Sequence, residues 1–154
     1  MRYGGHSKAV GLTVARSRLN EFRQTLLEKA ENMIRKEDLQ PHLPIEAELK
    51  AVEANVELIK ELSLLEPFGH DNPNPVFMMK KAVIKNRTRV GAEGNHLRLV
   101  LENGHSALSC IGWGMGDLAN RLEEGSRVDL AFHLESNVWK GRSYPQLVLE
   151  DIRC

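Results

Sequence analysis

The stretch His96-Leu97-Arg98-Leu99-Val100-Leu101-Glu102-Asn103-Gly104-His105-Ser106-Ala107-Leu108-Ser109-Cys110-Ile111-Gly112-Trp113 reads as two strands joined by a tight turn. Leu97, Leu99 and Leu101 recur at a spacing of two, and successive side chains of extended backbone point to opposite sides, so these leucines share one face. Glu102-Asn103-Gly104-His105 supplies the residue types that accept the left-handed backbone of a hairpin turn. The strands therefore run His96–Glu102 and Ser106–Trp113.

Downstream, Val128, Leu130, Phe132 and Leu134 alternate in the same way, which makes a strand of Ser126–Asn137. Val138-Trp139-Lys140-Gly141 turns it into a last strand, Ser143–Ile152. Upstream lies a long first strand, Val76–Arg89, and Asp117–Glu123 has the character of a helix between the third and fourth strands. Five antiparallel strands with a helix at that position follow the order of an OB-fold, a small Greek-key barrel. An SH3-like barrel is the competing arrangement, and the helix position argues against it.

Before the barrel, Glu66-Pro67-Phe68-Gly69-His70-Asp71-Asn72-Pro73-Asn74-Pro75 carries three prolines and a glycine, which stop both a helix and a central strand. Residues 67–75 are thus expected to link a first domain, 1–66, to the barrel, 76–154. The first domain reads as mixed helix and strand. A Gly-Gly-His turn and a strand Val10–Val14 precede a helix from Ser17 to about Lys36, with Leu19, Phe22, Leu26, Leu27, Ala30, Met33 and Ile34 along one stripe. Pro41 and Pro44 break the chain before a short strand Ile45–Val52 and a helix Asn55–Leu65. The fold class is α+β.

Composition narrows the function classes. With 42% hydrophobic and 27% charged residues among 154, the chain has enough apolar material for a core. It has no apolar run of the roughly 20 residues that cross a bilayer and no apolar leader, so a cytoplasmic setting is expected. Cys110 and Cys154 form no framework, in keeping with a reducing compartment. Basic and acidic residues balance at 21 each, so net charge gives no argument for nucleic acid. Residues 1–75 hold 10 basic and 12 acidic side chains, and residues 76–154 hold 11 and 9. Lys80, Lys81, Lys85, Arg87 and Arg89 lie in ten residues without an acid, either a phosphate-facing strip or an edge strand guarded by charge.

A single-strand-binding barrel needs cations along a groove and flat side chains on which bases stack. Trp139 and Tyr144 flank Lys140-Gly141-Arg142 in the last hairpin, a loop that borders the OB binding face. Lys81, Lys85, Arg87 and Arg89 share a face if no bulge interrupts the first strand, while His96 and Arg98 lie opposite the leucines. Lys85, Arg87, Arg89, Arg98, Trp139, Lys140, Arg142 and Tyr144 are the candidate nucleic-acid contacts. Trp113 reads better as a plug of the barrel. In the Gly4-Gly5-His6 turn, glycines let backbone N–H groups approach a phosphate while the imidazole donates to a nonbridging oxygen. A tight turn whose histidine merely packs is the competing reading. His42, His70, His96, His105 and His133 show no zinc spacing, and no metal site is expected in this chain.

Three motifs together resemble the RecJ family of single-stranded-DNA-specific exonucleases. Gly4-Gly5-His6 followed by Ala9 and Gly11 is similar to the signature of the DHH-associated domain. Leu65-Glu66-Pro67-Phe68-Gly69 with Asn72-Pro73 and Phe77 resembles the family's boundary motif, and Asn137, Trp139, Gly141 and Gln146 its last OB hairpin. The resemblance covers the whole chain. It implies the end of a DHH-associated domain followed by an OB-fold, with Gly4, Gly5 and His6 holding substrate phosphate. It also implies 5′-to-3′ hydrolysis in recombination and repair, at two divalent metals (Mn or Mg) held by a domain with an Asp-His-His motif that this sequence lacks. No catalytic residue or cofactor is then expected in this chain, which would be inactive alone. Single-stranded DNA is the expected partner, with single-strand-binding protein or other repair proteins as a second possibility. A tRNA-editing fragment would share only Gly-Gly-His. The early Gly-Gly-His suggests a shortened first domain with Met1 as an added residue.

Overall fold

In a computed structural model, residues 2–104 and 106–154 are described; Met1 and His105, both read from the sequence, lie outside them. The chain forms two compact units, Met1–Leu43 and Pro44–Cys154.

In the first unit, β1 (Arg2–His6) and β2 (Ala9–Thr13) pair antiparallel as a hairpin, so Gly4-Gly5-His6 lies in a strand, not in the turn itself. Gly5 is required there: a Cβ would sit 2.3 Å from the Ala9 carbonyl oxygen, whereas at Gly4 nothing lies within 4 Å. Helix α1 (Leu19–Met33) starts after a 3-10 turn at Arg16–Arg18, which puts Ser17 inside that turn and leaves the helix without a side-chain cap. Its apolar stripe is largely exposed, with Leu26 and Leu27 about half accessible.

The second unit is built on β4 (Phe77–Val90), β5 (His96–Asn103), β6 (Ser106–Gly112), β7 (Arg127–Trp139) and β8 (Arg142–Arg153). Strand order is β4-β5-β6-β8-β7, and β4 pairs with β7 to close the barrel. The sheet is mixed, because β6 and β8 run parallel. That corrects the all-antiparallel expectation: joining the third and fifth strands requires a parallel rung, and hairpin turns alone do not reveal it. The link from β6 to β7 is a 3-10 turn, Gly116–Asn120, shorter than the expected helix. Ile84, Leu97, Leu99, Leu101, Cys110, Phe132 and Leu147 are fully buried in one core. Each such leucine or phenylalanine contributes about 1.5–3 kcal/mol on burial.

The compact units divide at Leu43/Pro44 rather than at residues 67–75, because the intervening segment packs with the barrel. Strand β3 (Ala47–Glu48) pairs parallel with β4, and helix α2 (Val56–Ser63) lies against β7 and β8. Asn55 caps α2 by accepting from the Leu58 N–H at 2.9 Å, and Ala54, Leu58, Ile59 and Leu62 join the barrel core. The proline-rich segment is a structured turn: the Asn72 side-chain amide donates to the Leu65 and Pro67 carbonyls, at 2.7 and 3.1 Å. His133 ties its end down, with Nδ1 2.9 Å from the Pro75 carbonyl oxygen and Nε2 3.3 Å from Glu150.

Candidate nucleic-acid interface

Directly paired residues of neighbouring strands share a face, so the ladders define the outer surface of the barrel. One row runs Thr88, Arg98, Ile111, Val148, His133, and the next runs Asn86, Val100, Ser109, Gln146, Glu135. Followed outward, the second row leads along the β7–β8 hairpin to the pairs Asn137–Tyr144 and Trp139–Arg142. Followed the other way, the first row leads to Val90–His96 and, by alternation along β6, to Trp113. By parity His96, Arg98, Trp113, Trp139, Arg142 and Tyr144 therefore all lie on the outer side of the barrel wall.

At one end, the His96 and Trp113 rings meet edge to face, 4.9 Å apart at 80°. The Gly114 N–H donates to His96 Nδ1 at 3.0 Å, which fixes the imidazole. Trp113 is 61% exposed, which overturns its reading as a barrel plug. The run 107–113 has apolar residues at both parities, and only pairing with β5 turns Leu108 and Cys110 into the core and leaves Trp113 exposed, with Ile111 on the parity of Trp113 yet itself buried.

At the other end, the β7–β8 hairpin continues four rungs past Gln146, the first β8 residue paired with β6. Its turn has both central residues, Lys140 and Gly141, at positive φ (49° and 75°), the geometry that matches strand twist. Trp139 is 65% exposed and Tyr144 46% exposed. The eight residue steps between Trp113 and the Trp139–Arg142 pair correspond to roughly 26 Å of extended strand.

The basic strip of β4 does not form the single face expected of it. Between Met79 and Ala82, and again between Ile84 and Asn86, the register shifts. Lys81 takes φ 53° and its N–H donates to Asp129 Oδ1 at 2.9 Å, while Lys80 Nζ lies 2.7 Å from Glu48 Oε2. The Glu48 carboxylate, by hydrogen bond and then by charge, holds the Lys80 ammonium above the ordinary lysine range. Lys85 falls in the second irregularity and is exposed. Beyond it, Arg87 and Arg89 pair with the buried Leu99 and Leu97, which puts them on the inner face of the ladder. Arg87 Nη1 donates to the Ala119 carbonyl; Arg89 Nε donates to the Gly94 carbonyl at 2.9 Å, and its Nη2 lies 3.2 Å from Asp117 Oδ1. Each shift inserts one residue and reverses the alternation, so after the second one Arg87 and Arg89 return to the inner parity of Phe77 and Met79, and the four cations share no face.

Gly4, Gly5 and His6 are exposed in their own unit, with the Lys8 N–H donating to His6 Nδ1 at 3.3 Å. Among the described residues, no group of three or more His, Cys, Asp or Glu gathers as metal ligands, and no helix is long and apolar enough to cross a membrane.

The family model of the RecJ OB domain matches residues 45–151. The single-stranded-DNA-specific exonuclease RecJ of Bacillus subtilis is 32% identical over 149 residues, covering 97% of this chain and 19% of that protein. RecJ of Thermus thermophilus is 31% identical over 156 residues, covering 99% of this chain and 21% of the relative. A crystal structure of the Thermus thermophilus RecJ in complex with Mn2+ superposes with TM-score 0.81 at 27% identity, covering 100% of this chain and 22% of that one. Another in complex with Mg2+ has TM-score 0.80. This chain thus spans about a fifth of those relatives. The match of family model, sequence and barrel over the same residues places this chain in the RecJ family, with residues 45–151 as its OB domain.

Proposed function

We propose that this chain grips single-stranded DNA for a RecJ-type exonuclease, its barrel holding the strand while hydrolysis takes place at a metal centre built by other residues. The observation that carries this reading is the outward placement of Arg98, Tyr144, Trp139 and Arg142 on the barrel wall that also carries the paired His96 and Trp113 rings. Flat side chains accept the π-face of any base, and Arg98, Arg142, Lys140 and Lys85 offer positive charge to the phosphates. Arg87 and Arg89 drop out of the proposed contact set because their guanidinium groups are engaged at the barrel end.

The unit Met1–Leu43 is the end of a DHH-associated domain, and Gly4, Gly5 and His6 clamp a phosphate near the scissile bond. The complete enzyme removes nucleotides from the 5′ end with Mn2+ or Mg2+, acts in recombination and repair in the cytoplasm, and leaves these 154 residues inactive by themselves. A second reading, a docking site for repair proteins such as single-strand-binding protein, draws on the balanced charge of 21 basic and 21 acidic residues and the exposed Val138 and Trp139.

Fluorescence anisotropy with labelled single-stranded and duplex DNA at two salt concentrations separates the readings. The grip predicts preference for single strands and a negative slope of log affinity against log salt, about 0.7 per phosphate contacted. A folded chain that binds neither DNA at low salt would exclude it and direct attention to protein partners.

A further inference from the structure

We propose that Arg89, paired with Asp117, is a positioning residue that presets the His96–Trp113 base platform by clamping together the two segments on which those rings are mounted. The inference deepens the single-strand-binding reading and rests on it for its function, but its geometry is independent of that reading.

His96 directly follows the β4–β5 turn, residues 91–95, and Trp113 stands three residues before the 3-10 turn Gly116–Asn120. The bulge at Lys85 turns Arg89 inward, where one guanidinium reaches both segments: Nε–H donates to Gly94 O at 2.9 Å, and Nη2 lies 3.2 Å from Asp117 Oδ1. A planar guanidinium holds two acceptors in fixed directions, which an ammonium does not do. Beside it the Gly116 N–H donates to Asn95 O at 2.9 Å, and a Cβ on Gly116 would lie 2.2 Å from Gly94 O, so the backbones are in direct contact. Arg87 Nη1 adds a bond to Ala119 O, and its Nε is buried with no hydrogen-bond partner among the described residues. The contact between the segments continues into the platform through Gly114 N–H to His96 Nδ1 and the ring contact itself. Without the clamp, the two ring-bearing segments lose a shared side-chain tether, and the platform widens or tilts before DNA arrives.

The test uses the chain's two tryptophans. In a Trp139→Phe background, Trp113 is the sole indole, and its steady-state anisotropy and acrylamide quenching report its mobility without DNA. Arg89→Ala and Asp117→Asn should each lower the anisotropy and raise the quenching, and the double variant should go no further than the stronger single one. Asp117 is 94% exposed, so Asp117→Asn keeps the test alive should Arg89→Ala misfold. With both tryptophans present, the same variants should bind single-stranded DNA several-fold more weakly at unchanged salt slope, whereas Arg98→Ala should flatten the slope by about 0.7. Unchanged Trp113 signals in both variants overturn the proposal, whatever the DNA does. A slope flattened by about 0.7 in Arg89→Ala also overturns it, since Arg89 would then be a phosphate contact. If the parent chain binds no DNA, the grip reading fails alone and the Trp113 signals still decide this one.

Discussion

Replacing Trp113 by alanine should weaken single-strand binding by about 5- to 150-fold and leave the fold intact. The indole is 61% exposed on the outer face, and His96 meets it edge to face at 80°. Truncating one aromatic under a stacked base costs about 1–3 kcal/mol, and at about 1.4 kcal/mol per decade that is the stated range. Stability should hardly move, because Trp113 is outside the buried core and surface substitutions usually stay within about 0.5 kcal/mol. For a unit the size of the barrel, about 110 residues, that is roughly 2 °C in melting temperature. Anisotropy titration of a labelled oligonucleotide of about 20 bases, longer than the largest usual OB site, measures the affinity. Trp113→Phe should recover most of the loss, since a flat ring remains, and neither variant should change the salt slope. An affinity within twofold of the parent at equal salt, with an unchanged melting temperature, would refute the platform.

Gly116→Ala should cost about 1–3 kcal/mol, because its Cβ would fall 2.2 Å from Gly94 O, a backbone atom that moves only if the β4–β5 turn moves. Gly69→Ala, with nothing within 4 Å, should melt with the parent, and equal melting of all three would refute the contact. Cys110 is buried, which pushes its thiol far up, while Cys154 is exposed, so Ellman's reagent should titrate one thiol in the folded chain and the second only in denaturant. Two thiols reacting at once would show an open barrel. The Lys80 ammonium is held above its ordinary value by Glu48, so its contribution is complete below the unfolded lysine pKa of about 10.4 and is lost as pH rises through the higher folded value. Melting curves across that alkaline range should fall less steeply for Glu48→Gln than for the parent, and identical curves would remove the ion pair from the account.

Much of the barrel could be read from the sequence because strands with one buried face alternate. Leu97, Leu99 and Leu101, and likewise Val128, Leu130, Phe132 and Leu134, turn inward as their spacing requires. The Asn103-Gly104 and Lys140-Gly141 turns lie where small or polar residues accept a left-handed backbone, with φ 57° at Gly104. Alternation fails wherever a residue is inserted or both parities are apolar. Lys81 and Lys85 sit at register shifts that each reverse the alternation, so the arginines beyond them lie on the inner parity and share no face with the lysines. Trp113 follows Ile111 on a strand with apolar side chains at either parity, and nothing local distinguishes a plug from a platform. His96 was visible as opposite the leucines, but its partnership with Trp113 joins residues 17 apart across a hairpin.

The sequence by itself determined the strands, their hairpins and the family, because these depend on local periodicity, turn residues and short motifs. Only the tertiary structure decided that β6 and β8 run parallel, and that Arg87 and Arg89 clasp the barrel end while Trp113 faces outward. Those outcomes depend on register between strands far apart in the chain, where a shift of one residue moves a side chain to the opposite face.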